Sequence, residues 1–310
     1  MSATIVVDRA SKWFGDTVAM GDVSFSVGPG VTGLLGHNGA GKSTLLKLLA
    51  GFSRPDEGTV RVLGHDPGRE IEVYRRLGVV PDGDGLWPHL TARGAIEACA
   101  RMRGVPDPAD ATRRVLERVD MTAAAERRLG GFSKGMKQRI KLAQALVHDP
   151  EVLLLDEPLN GLDPAQRRDV IRLIGELGAA GHTVLVSSHQ LGEVERMAPQ
   201  VLVMVNGRLV AEGTTAGIRD LLAERPRTVR VEVDAPPAVA QALIGEGLAT
   251  SVRLEDGVLI AETGDVREFA VRLAVVARDA GTTLRAVEPV GEDLESVYAY
   301  LTDRARGAGR

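Results

Sequence analysis

Gly36-His37-Asn38-Gly39-Ala40-Gly41-Lys42-Ser43 is the stretch that decides the fold of this 310-residue chain. It fits the pattern G-x-x-x-x-G-K-[ST], and the spacing has a physical reason. Glycines let the backbone turn so that successive N–H groups point inward at phosphate oxygens. The helix that follows brings its positive N-terminus to the same point. Lys42 is placed to reach β- and γ-phosphates, and the Ser43 hydroxyl to ligate Mg²⁺. The motif needs a strand before it and a helix after it. Residues 31–35 read as that strand, and residues 42–50, apolar and stopped by Gly51, read as that helix. The expected phosphate contacts are Asn38, Gly39, Ala40, Gly41, Lys42, Ser43 and Thr44, with His37 a spacer.

A second stretch, Glu151-Val152-Leu153-Leu154-Leu155-Asp156-Glu157, is an apolar strand ending in two carboxylates. In open α/β sheets ligands sit at the carboxyl ends of the strands, which is where this strand delivers Asp156. Asp156 is placed to hold Mg²⁺, directly or through water. Glu157 is placed to orient or deprotonate an attacking water. Alone, the pair reads equally well as two solvated loop acids; the phosphate loop upstream favours the site.

Around these motifs, strands are expected at residues 4–7, 23–27, 59–63, 78–80, 183–187 and 201–205. Helices are expected across 91–129 and at 133–147, 164–180 and 191–197. Asn206-Gly207 is a hairpin turn before another strand. Alternating strands and helices predict a mainly parallel sheet covered on both faces. Near residues 222–228 (LAERPRT) the composition shifts to a charged linker, and the pattern restarts. From there the order βαββαβα, ending in a helix at 293–302, predicts a small ferredoxin-like domain.

Composition narrows the function classes. Hydrophobic residues make up 44% and charged residues 26%, ordinary globular usage. The net charge is −4 with both signs mixed, and aromatics are 3%, which argues against a basic or stacking nucleic-acid surface. A single cysteine, Cys99, excludes an internal disulfide and a four-cysteine zinc site. No secretory leader is legible, and no apolar run approaches the ~18–20 residues that span a bilayer.

With these motifs in order, the chain resembles the ATP-binding subunit of an ABC transporter over residues 3–222. Gly131-Phe132-Ser133-Lys134-Gly135-Met136-Lys137-Gln138-Arg139 resembles the ABC signature, with Lys134 and Met136 departing from L-S-G-G-Q. The S-K-G-M form is similar to the exporter branch, in which ATPase and permease are separate chains. The resemblance implies nucleotide contacts from Ser133 and Gly135, and a switch histidine, His189, at the γ-phosphate. It implies an adenine-stacking aromatic at Phe14, with Trp13 able to exchange roles. Asp82 stands where the family usually has a glutamine, and is expected to ligate Mg²⁺ or its water. Asn160-Gly161-Leu162-Asp163-Pro164 resembles the D-loop, and Asp163 doubles as a helix N-cap before Pro164.

The implied fold is α/β, a P-loop NTPase ABC-type ATPase domain. It has a mainly parallel sheet core, an antiparallel β subdomain and a helical subdomain, plus the small α+β ferredoxin-like C-terminal domain. The implied boundaries are 1–224 for the ATPase domain, with its helical part at about 85–148, and 225–310 for an accessory domain. The implied cofactors are ATP and Mg²⁺. The implied partners are transmembrane permease subunits and a second ATPase copy, as a homodimer or a paired subunit, sharing composite ATP sites. No nucleic acid is expected, and the expected location is peripheral, on the cytoplasmic side of the cell membrane. The alternative is a soluble ABC ATPase acting on a ribosome or nucleic-acid partner.

Overall fold

A computed structural model describes residues 3–83, 85–218, 227–255 and 257–290. The chain divides into two compact units, Met1–Ala216 and Gly217–Arg310.

The first unit is built on a six-stranded sheet in the order β5-β6-β7-β3-β8-β9. Its strands are β3 (Gly30–Leu35), β5 (Leu77–Val80), β6 (Val152–Leu155), β7 (Thr183–Ser188), β8 (Gln200–Val205) and β9 (Arg208–Thr214). All neighbours pair in parallel except β8 and β9, the Asn206-Gly207 hairpin. β6 and β7 are buried at every position, as expected of strands covered on both faces. Helices α1 (Lys42–Leu49), α4 (Lys134–Leu146), α5 (Pro164–Ala179) and α6 (Leu191–Met197) follow or precede these strands. Between β5 and α4 lie α2 (Ala92–Met102) and α3 (Pro108–Arg118), N-capped by the side chains of Thr91 and Asp107.

A second, antiparallel sheet of order β2-β1-β4 joins β1 (Ile5–Phe14), β2 (Thr17–Val27) and β4 (Glu57–Val62). β1 and β2 run well past the sequence expectations of 4–7 and 23–27. The reason is local: their pairing shifts register three times between Val7 and Trp13, and Arg9 takes a left-handed φ of 43°. Each bulge breaks the two-residue alternation that marks a strand in sequence. Asp56 ties the far end down, accepting from Trp13 N–H at 2.7 Å and Lys12 Nζ at 2.9 Å.

α4 lies antiparallel along β5. Lys141 reaches the residues just after β5, and His148 Nε2 sits 3.2 Å from the carbonyl of Leu77 at its start. The close approach depends on Gly78: a Cβ there would stand 2.4 Å from the Ala145 carbonyl oxygen.

The second unit is a four-stranded antiparallel sheet of order β11-β12-β10-β13. It comprises β10 (Arg227–Val233), β11 (Ser251–Glu255), β12 (Val258–Thr263) and β13 (Leu284–Val290), with helices Pro236–Gly245 and Val266–Asp279. This is the split βαβ arrangement. Val229, Val231, Leu259, Ala261, Phe269 and Leu273 form its core. The helix expected at 293–302, with Leu294-Glu295-Ser296-Val297-Tyr298, lies outside the described residues.

His148 makes the first unit sensitive to acid. Burial, then the nearby Arg103, lowers its pKa from 6.5 to about 4. An imidazole that is harder to protonate folded than unfolded leaves stability intact above about pH 6.5 and erodes it as pH falls towards 4. His148→Gln keeps a donor for Leu77. Between pH 7 and pH 5, the variant should lose about 1 kcal/mol less stability than the parent, allowing for partial exposure. Urea midpoints at the two pH values measure it.

Candidate functional site

The phosphate loop joins β3 to α1 at the carboxyl edge of the parallel sheet. Gly41, the N-cap of α1, has φ 99°, and a Cβ there would meet the Ala19 carbonyl oxygen at 2.8 Å. Only glycine satisfies both the left-handed backbone and the close approach. Ala40 is buried, Asn38 and Gly39 stand exposed at the tip, and Ser43 and Thr44 lie on the first turn of α1. α1 begins directly after Gly41, so its first-turn N–H groups lie at the loop.

Lys42 is 5% exposed. Its ammonium donates to the carbonyls of Gly36 at 2.5 Å and His37 at 3.1 Å, and faces Glu157 Oε1 at 3.6 Å. Burial lowers its pKa, while Glu157 and then Asp156 oppose that shift.

Asp156 and Glu157 leave the end of β6 beside β7. Both are buried, at 8% exposure each, and Glu157 takes a left-handed φ of 48°. A non-glycine residue in that region costs about 1–2 kcal/mol, and such strain concentrates at functional sites. Ser187, on β7, holds both acids. Its hydroxyl accepts from Glu157 N–H at 2.9 Å and donates to Asp156 Oδ1 at 2.6 Å. Glu157 Oε2 lies 3.0 Å from His189 Nδ1, whose Nε2 is 3.3 Å from the Gln190 amide nitrogen. The carboxylate only accepts, so Nδ1 is the nitrogen that donates to it. Glu157 Oε1 is buried without a hydrogen-bond partner. A carboxylate oxygen so placed suits a water molecule or a substrate group as its donor.

Ser43, Asp82 and Asp156 line one hollow of about 400 Å³. Their oxygens suit a hard divalent cation that brings phosphate ligands with it. Among the described residues, no three His, Cys, Asp or Glu side chains are gathered to hold a metal alone. Asp82 Oδ1 also accepts from Asn160 Nδ2 at 3.3 Å.

Phe14 is 54% exposed at the tip of the β1–β2 hairpin, with Lys12 Nζ 5.6 Å from its ring centroid. It is therefore not core. The same hairpin carries Ala19, whose carbonyl abuts Gly41. Val18, also 54% exposed, joins Phe14 there and gave no sequence signal. Ser133 is the N-cap of α4, accepting from Met136 N–H at 3.2 Å. Gly135 packs on the segment after Glu157: a Cβ would lie 2.5 Å from Gln166 Oε1 and 3.3 Å from the Gly161 carbonyl oxygen. The Asp163 side chain caps α5 through Ala165 and Gln166. The structure thus gathers Lys42, Ser43, Asp82, Asp156, Glu157 and His189, and holds Ser133 and Gly135 apart on another element. Ser187 escaped the sequence reading because a polar residue in a strand carries no periodic mark, and Asn160 was read only as part of the D-loop stretch.

Comparison with known proteins agrees with this geometry. The ABC transporter family model matches residues 20–160. The Nod factor export ATP-binding protein I of Paraburkholderia xenovorans is 38% identical over 77% of this chain and 79% of its own. The protein of the same description from Rhizobium etli is 33% identical over 95% of this chain and 92% of its own. A solved ATP-binding subunit of an ABC transporter superposes with a TM-score of 0.64 at 30% identity, over 70% of this chain and 92% of that one.

Ser187→Ala tests the bridge between the two acids. It leaves the buried Glu157 N–H unpaired, at a cost of about 1–3 kcal/mol. The expected outcome is a roughly 10–100-fold fall in ATP turnover with a much smaller change in nucleotide affinity. Steady-state phosphate release and fluorescent-nucleotide titration separate the two.

Proposed function

We propose an export function for this chain, which belongs to the ABC transporter family as an ATP-hydrolysing, ATP-binding subunit. The energy of hydrolysis drives substrate export through a separate membrane permease. Two observations support the division of labour. No helix among the described residues is long and apolar enough to cross a membrane. The similarity to the Rhizobium etli export protein runs through nearly the whole chain, including most of the second unit. We read that unit as an accessory domain, regulatory or dimer-stabilising.

The residues act as follows. Lys42 and the loop N–H groups bind the β- and γ-phosphates, and Phe14 stacks on the base. Ser43 and Asp156 hold Mg²⁺ together with phosphate oxygens, with Asp82 bearing on it directly or through water. The ion, when bound, neutralises charge on the transferring phosphoryl group. Glu157 orients and deprotonates the attacking water through Oε1, the oxygen that faces Lys42 and makes no hydrogen bond. His189, held by Glu157 and Gln190, steadies that carboxylate and the γ-phosphate.

The observation that carries the composite-site reading is the distance between signature and loop. Lys141 sits beside the end of β5, and Ser133 lies eight residues earlier, roughly 12 Å further along α4. The phosphate loop leaves β3, three strands across from β5, roughly 14 Å to the side. A serine so displaced completes the site of a second copy rather than its own. The permease then docks on the cytoplasmic side, against the apolar side chains left outside the core. Phe52, Ile71, Trp87 and Met102 are 54–80% exposed, and the Arg103–Tyr74 hydrogen bond brings the Met102 and Ile71 segments together.

Glu157→Gln should bind ATP, stop turning over, and accumulate as a nucleotide-dependent dimer in size-exclusion chromatography. Adding Ser133→Arg should abolish that dimer. Mixing two inactive variants, Lys42→Ala and Ser133→Arg, should restore partial activity, because one of the two shared sites is then intact. A site built within one chain predicts neither the dimer nor the recovery.

A further inference from the structure

Lys141 is a buried lysine that the reaction described so far does not use. It lies on α4, two turns beyond the Ser133 cap, and is 6% exposed. Its ammonium donates to three consecutive carbonyls: Pro81 at 2.9 Å, Asp82 at 3.3 Å and Gly83 at 3.1 Å. An ammonium has three N–H donors, and the chain after β5 offers it three acceptors in a row. Charge-assisted bonds of this kind are stronger than neutral ones and strengthen further away from water. A buried charge is tolerated only with such compensation, so the loop and the helix are held to each other.

What the loop carries gives the contact its meaning. Asp82 lies between the two clamped peptides and lines the hollow with Ser43 and Asp156, and its charge acts on Lys42. The backbone of residues 81–83 is held from one side by Lys141. The Asp82 carboxylate is held from the other by Asn160, three residues after Glu157. An aspartate is one methylene shorter than a glutamine, so its oxygens reach the hollow only if the backbone is drawn close. Lys141 supplies that constraint from the helix that begins at the signature serine.

We propose that Lys141 is a positioning residue for the divalent cation. It fixes the 81–83 backbone to α4, so that the Asp82 carboxylate meets the Mg²⁺ brought in with ATP. This rests on the placement of Mg²⁺ by Ser43, Asp82 and Asp156 proposed above. Lys141 touches neither nucleotide nor ion. Its effect is on how strongly Mg²⁺ and nucleotide favour each other's binding, which is a reciprocal coupling.

The test is the ratio of fluorescent-ATP dissociation constants in EDTA and in Mg²⁺, measured on the full chain. Lys141→Met should change the EDTA constant less than two-fold and lower the ratio at least three-fold. Asp82→Ala should lower the ratio as much, and the double variant should lower it no further. If Lys141→Met does not fold by circular dichroism, Lys141→Gln replaces it, with the ratio expected to fall at least two-fold. An unchanged ratio in the folded lysine variant, with Asp82→Ala still lowering it, overturns the role of Lys141 alone. An additive double variant, or an equal loss of affinity in EDTA, also overturns it. An unchanged ratio in Asp82→Ala overturns the metal placement, and the proposal with it.

Discussion

A lysine ammonium with 5% exposure is the constraint around which the first unit is arranged. Out of water it needs acceptors and a counter-charge, and the surrounding chain is shaped to give both. Two carbonyls come from its own loop, and the carboxylate comes from the end of β6. That carboxylate is held in a left-handed backbone by Ser187 of β7 and steadied by His189 beyond it. Three neighbouring parallel strands therefore end in one bonded chain. Removing either member of the Lys42–Glu157 pair takes from the other its nearest opposite charge in a site with little water. The same arrangement makes the site ready for phosphate, since the charges and N–H groups need little movement to meet it.

Much of this was legible in the sequence, and for a local reason. The phosphate loop and the Val152–Glu157 strand are contiguous motifs, each with chemistry and geometry encoded within about eight residues. The parallel strands announce themselves as short apolar runs between turn signals. In the second unit, alternation marks β10 and β12, whose odd and even positions face opposite sides.

What was not legible depends on residues distant in sequence. β1 and β2 looked half their length, because bulges at Val7–Trp13 scramble the alternation and only the pairing of the two strands with each other carries them on to Phe14 and Thr17. Ser187 reads as one more small residue in a strand, and becomes a bridge only because β6 lies alongside. Lys141 reads as one charge on an amphipathic helix. Its burial follows from α4 lying down on β5, which Gly78 permits. Asp163 was ambiguous between cap and loop function, and the cap is what its side chain does.

β5 and β6 pair in parallel, Val80 against Leu155, yet 71 residues separate the end of one from the start of the other. Parallel neighbours always need a crossover, and here the entire helical part of the unit is that crossover, with α4 as its returning helix. Closing an unstructured loop of this length costs roughly 4 kcal/mol in chain entropy before the two strands gain anything. α2 and α3, capped by their own Thr91 and Asp107, shorten the effective loop by forming from local contacts. Local helix formation thus lowers the entropy cost of bringing β6 beside β5. The strand that delivers Asp156 and Glu157 takes its place beside β5 only across the arm that bears the signature.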